Sequence, residues 1–166
     1  MKKILHLLLA GLGGGIALSV GNFLTFGLIG SGLDHKSGIL FNPRYQSPKV
    51  IAVWTQYEPL PLIIRQPLSI PMIFIFLGIV HSMLYILTLR NSIRTPVKKV
   101  VVLTIVLLTG ALFFEIMGPL NLLNEPIGLI SLELSFWTFS MLLESLAIVY
   151  IFLGIDKSSK ATINLH

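Results

Sequence analysis

Long apolar stretches broken by short polar clusters dominate the chain, with neither a period-two alternation nor a one-sided helical stripe. The first stretch runs from Ile4 to Leu33 behind Lys2 and Lys3. As a helix it is about 45 Å long at 1.5 Å per residue, enough to cross a hydrocarbon core of about 30 Å with tilt. A cleaved signal has an apolar region of only about 7 to 15 residues, so this stretch is read as a retained helix. The second stretch covers about 69–89, the third about 97–117 and the fourth about 127–154. "RNSIRTPVKK" separates the second from the third and "GPLNLLNEPIG" the third from the fourth. Both connections are short enough to make sequence neighbours antiparallel. The pattern predicts an all-α integral membrane protein, one domain over 1–166 built as a four-helix antiparallel bundle. A polar tail, 155–166, is expected to fray.

The connection after the first stretch is of another kind. Residues 34–66 hold Pro43, Pro48, Pro59 and Pro61, which forbid one continuous helix, and too many aromatic and aliphatic residues for disorder. They predict an aromatic and proline-rich cap at the membrane interface, where Trp and Tyr rings are comfortable. Its candidate functional residues are Trp54, Tyr57, Glu58, Arg44 and Arg65, the charged ones read first as solvated.

Composition supports the membrane reading: 54% of the 166 residues are apolar and 11% charged, where soluble domains carry about a quarter charged. The net charge of +5 is spread beside the apolar stretches rather than gathered in a stripe, so no nucleic-acid partner is implied. Lys2, Lys3, Arg90, Arg94, Lys98, Lys99, Lys157 and Lys160 fall on one side of the expected topology. Lys36, Arg44, Lys49 and Arg65 fall on the other. The positive-inside bias then places both termini in the cytoplasm and the cap outside a plasma or inner membrane.

The first helix carries small residues four apart at Gly11/Gly15, Ala17/Gly21 and Gly27/Ser31. Gly11, Gly15 and Gly21 are therefore candidate packing positions, for helices of this chain or for a homo- or hetero-oligomer. "GLGGG" lacks the preceding strand and following Lys-Ser/Thr of a phosphate loop. The absence of cysteine excludes disulfides, thiolate metal sites and cysteine nucleophiles. No metal-binding or cofactor motif is present, and neither metal nor cofactor is implied.

What remains is acid where acid is expensive. A charged group at the bilayer centre costs about 2.5 to 17 kcal/mol depending on the reference, so intramembrane carboxyls face an interior or a partner. Glu133 and Glu144 stand eleven residues apart in the fourth helix and share a face with Trp137 and Ser140. Counting rise from the outer boundary places Glu133 at about 6 to 9 Å and Glu115 at about 6 Å, an outer layer to which Asn22 adds an amide. His81, at about 18 Å, and Glu144, at about 22 to 25 Å, form a deeper layer. Tyr85 and Thr88 extend a hydroxyl-bearing stripe from His81. The predicted pocket is thus lined by His81, Glu115, Glu133, Glu144, Tyr85, Trp137, Ser140 and Asn22.

Three functions fit. The first is binding or transport of a small hydrophobic or amphipathic molecule or a membrane lipid. The second is acid–base catalysis on a lipid or isoprenoid, with the three acids and His81 as acid, base or cation stabiliser. The third is an accessory subunit that presents its glycine face to a partner.

Overall fold

The computed structural model describes residues 2–34 and 37–163, with the side chains of Lys2, Lys3 and 157–163 left aside. The contributions of Lys2, Lys3, Lys36, Lys157 and Lys160 to the charge count therefore lie outside the described side chains, as do the last three residues of the expected tail. Among the described residues the regular structure is all helical, without strands. Four helices are long and apolar enough to cross a membrane, covering Ile4–Ser31, Ser69–Thr88, Pro96–Leu123 and Ile127–Asp156.

Helix α1 runs over Lys2–Asn22 and widens into a π-helical stretch, Phe23–Ser31. Hydroxyls bonded back to carbonyls four residues earlier, Ser19 to Gly15, Thr25 to Gly21 and Ser31 to Gly27, mark this half of the helix. Such back-bonding competes with the regular ladder and bends helices. The chain leaves through Gly32 at φ +74°, a conformation that glycine adopts without a Cβ penalty.

The segment that follows is not structureless. It folds as a 3-10 turn over Ile39–Phe41, helix α2 over Pro48–Thr55 and a single turn, α3, over Leu62–Arg65. Pro48 opens α2 and the Ser47 side chain accepts from the Lys49 amide, so a proline at the first turn and a serine cap set its start. Leu40 is buried with Leu129 and Phe136, which anchors the segment on the bundle.

Helix α4 covers Ser69–Thr88 and α5 covers Pro96–Glu115. A π-helical turn, Ile116–Leu120, then carries Pro119, which offers no amide to the ladder, and leads into the single turn α6, Asn121–Leu123. Asn124 reverses the chain at φ 53°. Helix α7 then runs unbroken over Ile127–Ile163, past the 154 boundary expected from hydrophobicity.

In space α1 packs along both α4 and α7, α5 packs along α7, and α4 meets α7 only locally. Glycine makes the α1 contacts close. A Cβ on Gly11 would stand 2.6 Å from the Ile79 Cα. One on Gly15 would strike the backbone of Phe74 and Ile75, and one on Gly78 that of Gly11 and Gly15. Toward α7, a Cβ on Gly21 would stand 2.7 Å from the Ser140 Cα and one on Gly14 2.7 Å from the Ile148 side chain. The third small pair behaves differently, since Gly27 faces its own Phe23 and its carbonyl accepts from Ser31. Both glycine faces are thus filled from within the chain.

At the end of the bundle carrying the 89–99 connection, Arg90 pairs with Asp156 at 2.6 Å and Lys99 donates to the Arg90 carbonyl at 2.6 Å. Tyr85 stacks on Phe152 there, with ring centroids 5.4 Å apart.

Candidate functional site

Two clusters stand on α7, each completed by another helix. In the deeper one Glu144 is fully buried and its Oε1 lies 2.8 Å from the His81 Nδ1 on α4. Gly14 leaves the space beside it, since a Cβ there would come within 3.5 Å of the Glu144 Cγ. Among the described residues the Glu144 Oε2 has no hydrogen-bond partner, and neither do the hydroxyls of the flanking buried residues Ser82 and Ser145.

In the outer cluster Glu115 on α5 is 1% exposed and accepts a 2.8 Å hydrogen bond from the Trp137 Nε1. Glu133, half-buried one turn earlier on α7, is close enough to the Glu115 carboxyl for the two to interact. Phe26, delivered by the π-helical half of α1, packs 5.0 Å from Trp137 and edge-on to Phe136 at 5.2 Å. The irregular backbone of α1 thus serves the outer cluster, as π-helical distortions often do at functional sites.

Between the clusters lies a groove of about 320 Å³, open sideways in the gap between α4 and α5. Leu77 and His81 form the α4 wall, and Trp137 and Met141 the α7 floor. On α5 the wall is Leu107, Gly110, Ala111 and Phe114, with nothing within 4 Å of where a Gly110 Cβ would stand. The groove is therefore apolar except at His81 and Trp137, and behind each of these stands a buried carboxyl. In a membrane its open side would face acyl chains. No protein-family model, characterised protein or solved structure matches the chain.

Of the residues singled out by sequence, His81, Glu144, Glu115, Glu133 and Trp137 come together in these two clusters. Ser140 does not line the groove; it is buried against Gly21 of α1 and donates to the Phe136 carbonyl. Tyr85 sits below the groove, under Phe152, and Thr88 is exposed and bonded to its own helix, so the hydroxyl stripe does not continue inward. Asn22 is half-buried, and its carbonyl accepts from Thr25 at 3.5 Å. In the cap, Trp54 packs edge-on to Phe41 at 5.7 Å, whereas Tyr57 is 63% exposed. Arg44 lies over the Tyr45 ring. Glu58 accepts from the Leu60 amide and Arg65 donates to the Leu60 carbonyl, each an exposed local contact rather than an ion pair.

One buried acid escaped the sequence reading. Glu125, in the turn between α6 and α7, is 4% exposed and accepts a close hydrogen bond from the Gln46 side chain. Next to it the Ser47 hydroxyl donates to the Leu123 carbonyl at 2.7 Å. Gln46 and Ser47 so latch the segment before α2 onto the turn before α7. Burial pushes the Glu125 carboxyl above the usual glutamate value; the Gln46 bond pulls the other way and the negative Glu115 adds to the rise. Among the described residues no group of three His, Asp or Glu side chains is placed to hold a metal ion.

Proposed function

We propose that the protein is an integral membrane protein that binds or transports a small amphipathic molecule, taken up sideways from the bilayer into the groove between α4 and α5. The observation that carries this reading is His81, which faces an apolar groove while a fully buried carboxylate grips its Nδ1. A carboxylate at Nδ1 fixes the tautomer that keeps the proton there, leaving Nε2 as an acceptor for a ligand group. The apolar walls would take a chain or ring system, since small-molecule sites combine such walls with a few convergent polar groups.

The same reading takes the helices as an antiparallel bundle with both termini cytoplasmic and the 34–66 segment outside, on the short connections and the basic-residue bias. The latched segment then lies over the outer acids.

Gly110 supplies the test. Its replacement by Phe meets no neighbour at Cβ and fills the groove. With Trp54→Phe, Trp137 becomes the sole tryptophan, and a brominated dodecyl amphiphile added to the protein in nanodiscs should quench it saturably. Gly110→Phe should convert that to the linear quenching of a ring meeting lipid-dissolved probe. Linear quenching in both proteins would remove the binding reading.

A second reading rests on the same pair. A histidine held by a carboxylate is an arrangement that removes protons, so the groove also suits a general base acting on a lipid or isoprenoid. Product formation from such a lipid that disappears in His81→Gln would favour it over binding alone.

A further inference from the structure

Resting on the groove as a binding site, we infer that its ligand is an amphipathic amine, held as the ammonium on an apolar chain. The lining gives the chain its place, through Leu77, Leu107, Phe114 and Met141. The charge balance gives the head group its sign. Glu144 and Glu115 are fully buried on the two sides of the groove, Glu133 stands beside Glu115, and among the described residues no lysine or arginine lines the groove. Arg90, just after α4, and Lys99, on α5, are committed at the bundle end to Asp156 and to the Arg90 carbonyl.

Each buried carboxyl is half-satisfied. Oε1 of Glu144 meets His81 and Oε1 of Glu115 meets Trp137, while Oε2 of both has no hydrogen-bond partner among the described residues. A buried charge without full compensation is costly, so the site gains most from a ligand that brings positive charge. The surfaces presented to that ligand agree. With its proton on Nδ1, the His81 Nε2 offers a lone pair that takes an N–H, and the Trp137 and Phe114 rings line the groove as aromatic groups of the kind that attract a cation. An alcohol would satisfy His81 but leave the carboxyls uncompensated. An anion would meet their field with no donor to receive it, because the Trp137 N–H is already spent on Glu115.

The experiment compares head groups on one chain. The Trp54→Phe protein, in nanodiscs of uncharged phosphatidylcholine, is titrated with brominated dodecylamine, dodecanol and dodecanoate, and Trp137 quenching is followed. The amine should bind at least about tenfold more tightly than the other two, a difference of the size expected from a desolvated cation–π contact with added charge. Glu144→Gln and Glu115→Gln should each erase most of the amine's advantage over the alcohol, and a thermal unfolding scan of each variant checks that it is folded. Equal binding of amine and alcohol, unmoved by either Gln variant, would overturn the amine assignment while leaving the groove a site. Strongest binding of the carboxylate would overturn it too. Saturable quenching by none of the three would overturn the groove itself.

Discussion

The Nδ1 of His81 lies 2.8 Å from the Oε1 of Glu144, across 63 residues of sequence, and joins α4 to α7 where those helices otherwise barely meet. The pair should be strongly coupled, because removing one member of a buried pair strands the other. His81→Ala should cost about 3 kcal/mol, and the double variant His81→Ala/Glu144→Leu should recover much of it. Denaturation in mild detergent across the four proteins of that cycle measures the coupling. Additive losses would mean that the two side chains act independently.

The glycine contacts predict a contrast along one helix type. Gly15→Leu drives a side chain into the backbone of Phe74 and Ile75, and Gly21→Leu into Ser140. Each should cost about 3 kcal/mol or prevent folding, at the upper end of overpacking effects. Gly110→Ala, which meets nothing, should be neutral or stabilising by up to about 1 kcal/mol. Yield and thermal midpoint in detergent report both. Unchanged stability in Gly15→Leu and Gly21→Leu would show that those faces do not meet helices.

Glu125 predicts how stability depends on pH. Burial holds its carboxyl above the value it has in the unfolded chain, so its neutral form favours the fold. The stability it contributes is complete below the unfolded value and is lost as pH rises through the raised folded one. Thermal midpoints should therefore fall with rising pH across that interval, and Glu125→Gln should flatten this part of the curve. An identical pH profile in the variant would take Glu125 out of the account.

Much of this was legible in the sequence because depth in a membrane can be counted. A rise of about 1.5 Å per residue from the expected outer boundary brings His81 within about a turn of Glu144 and Glu133 level with Glu115, and the structure joins the first pair by a hydrogen bond. The groove was not legible. Helices apolar on every face carry no stripe to say which neighbours touch, so nothing in the periodicity told that α5 leans on α7 and leaves α4. Gly14 and Gly78 were missed for a related reason. Gly14 pairs at four residues only with Ala10 and Leu18, a spacing the reading did not single out, and Gly78 is a lone glycine in α4. Glu125 drew no reading from the sequence because it stands in a short turn beside a proline, and only Gln46, 79 residues away in sequence, reveals its burial. Ser140 lay on the right face by angle, but Gly21 let α1 come close enough to cover it.

Topology is testable because the chain has no cysteine of its own. Tyr57→Cys and Asn91→Cys introduce thiols at exposed positions on the two expected sides. In intact cells a membrane-impermeant maleimide should label Tyr57→Cys and spare Asn91→Cys until the cells are opened. The reverse pattern would invert the orientation.

The central claim is a groove between α4 and α5 whose polar end is His81 backed by Glu144, and a structure determined in native lipid tests it most directly. The account predicts elongated density in the groove with one end within hydrogen-bonding distance of the His81 Nε2, about 3 Å. Direct packing of α4 on α5 with the groove closed, or His81 and Glu144 more than about 10 Å apart with lipid between them, too far even for a bridging water, would contradict it.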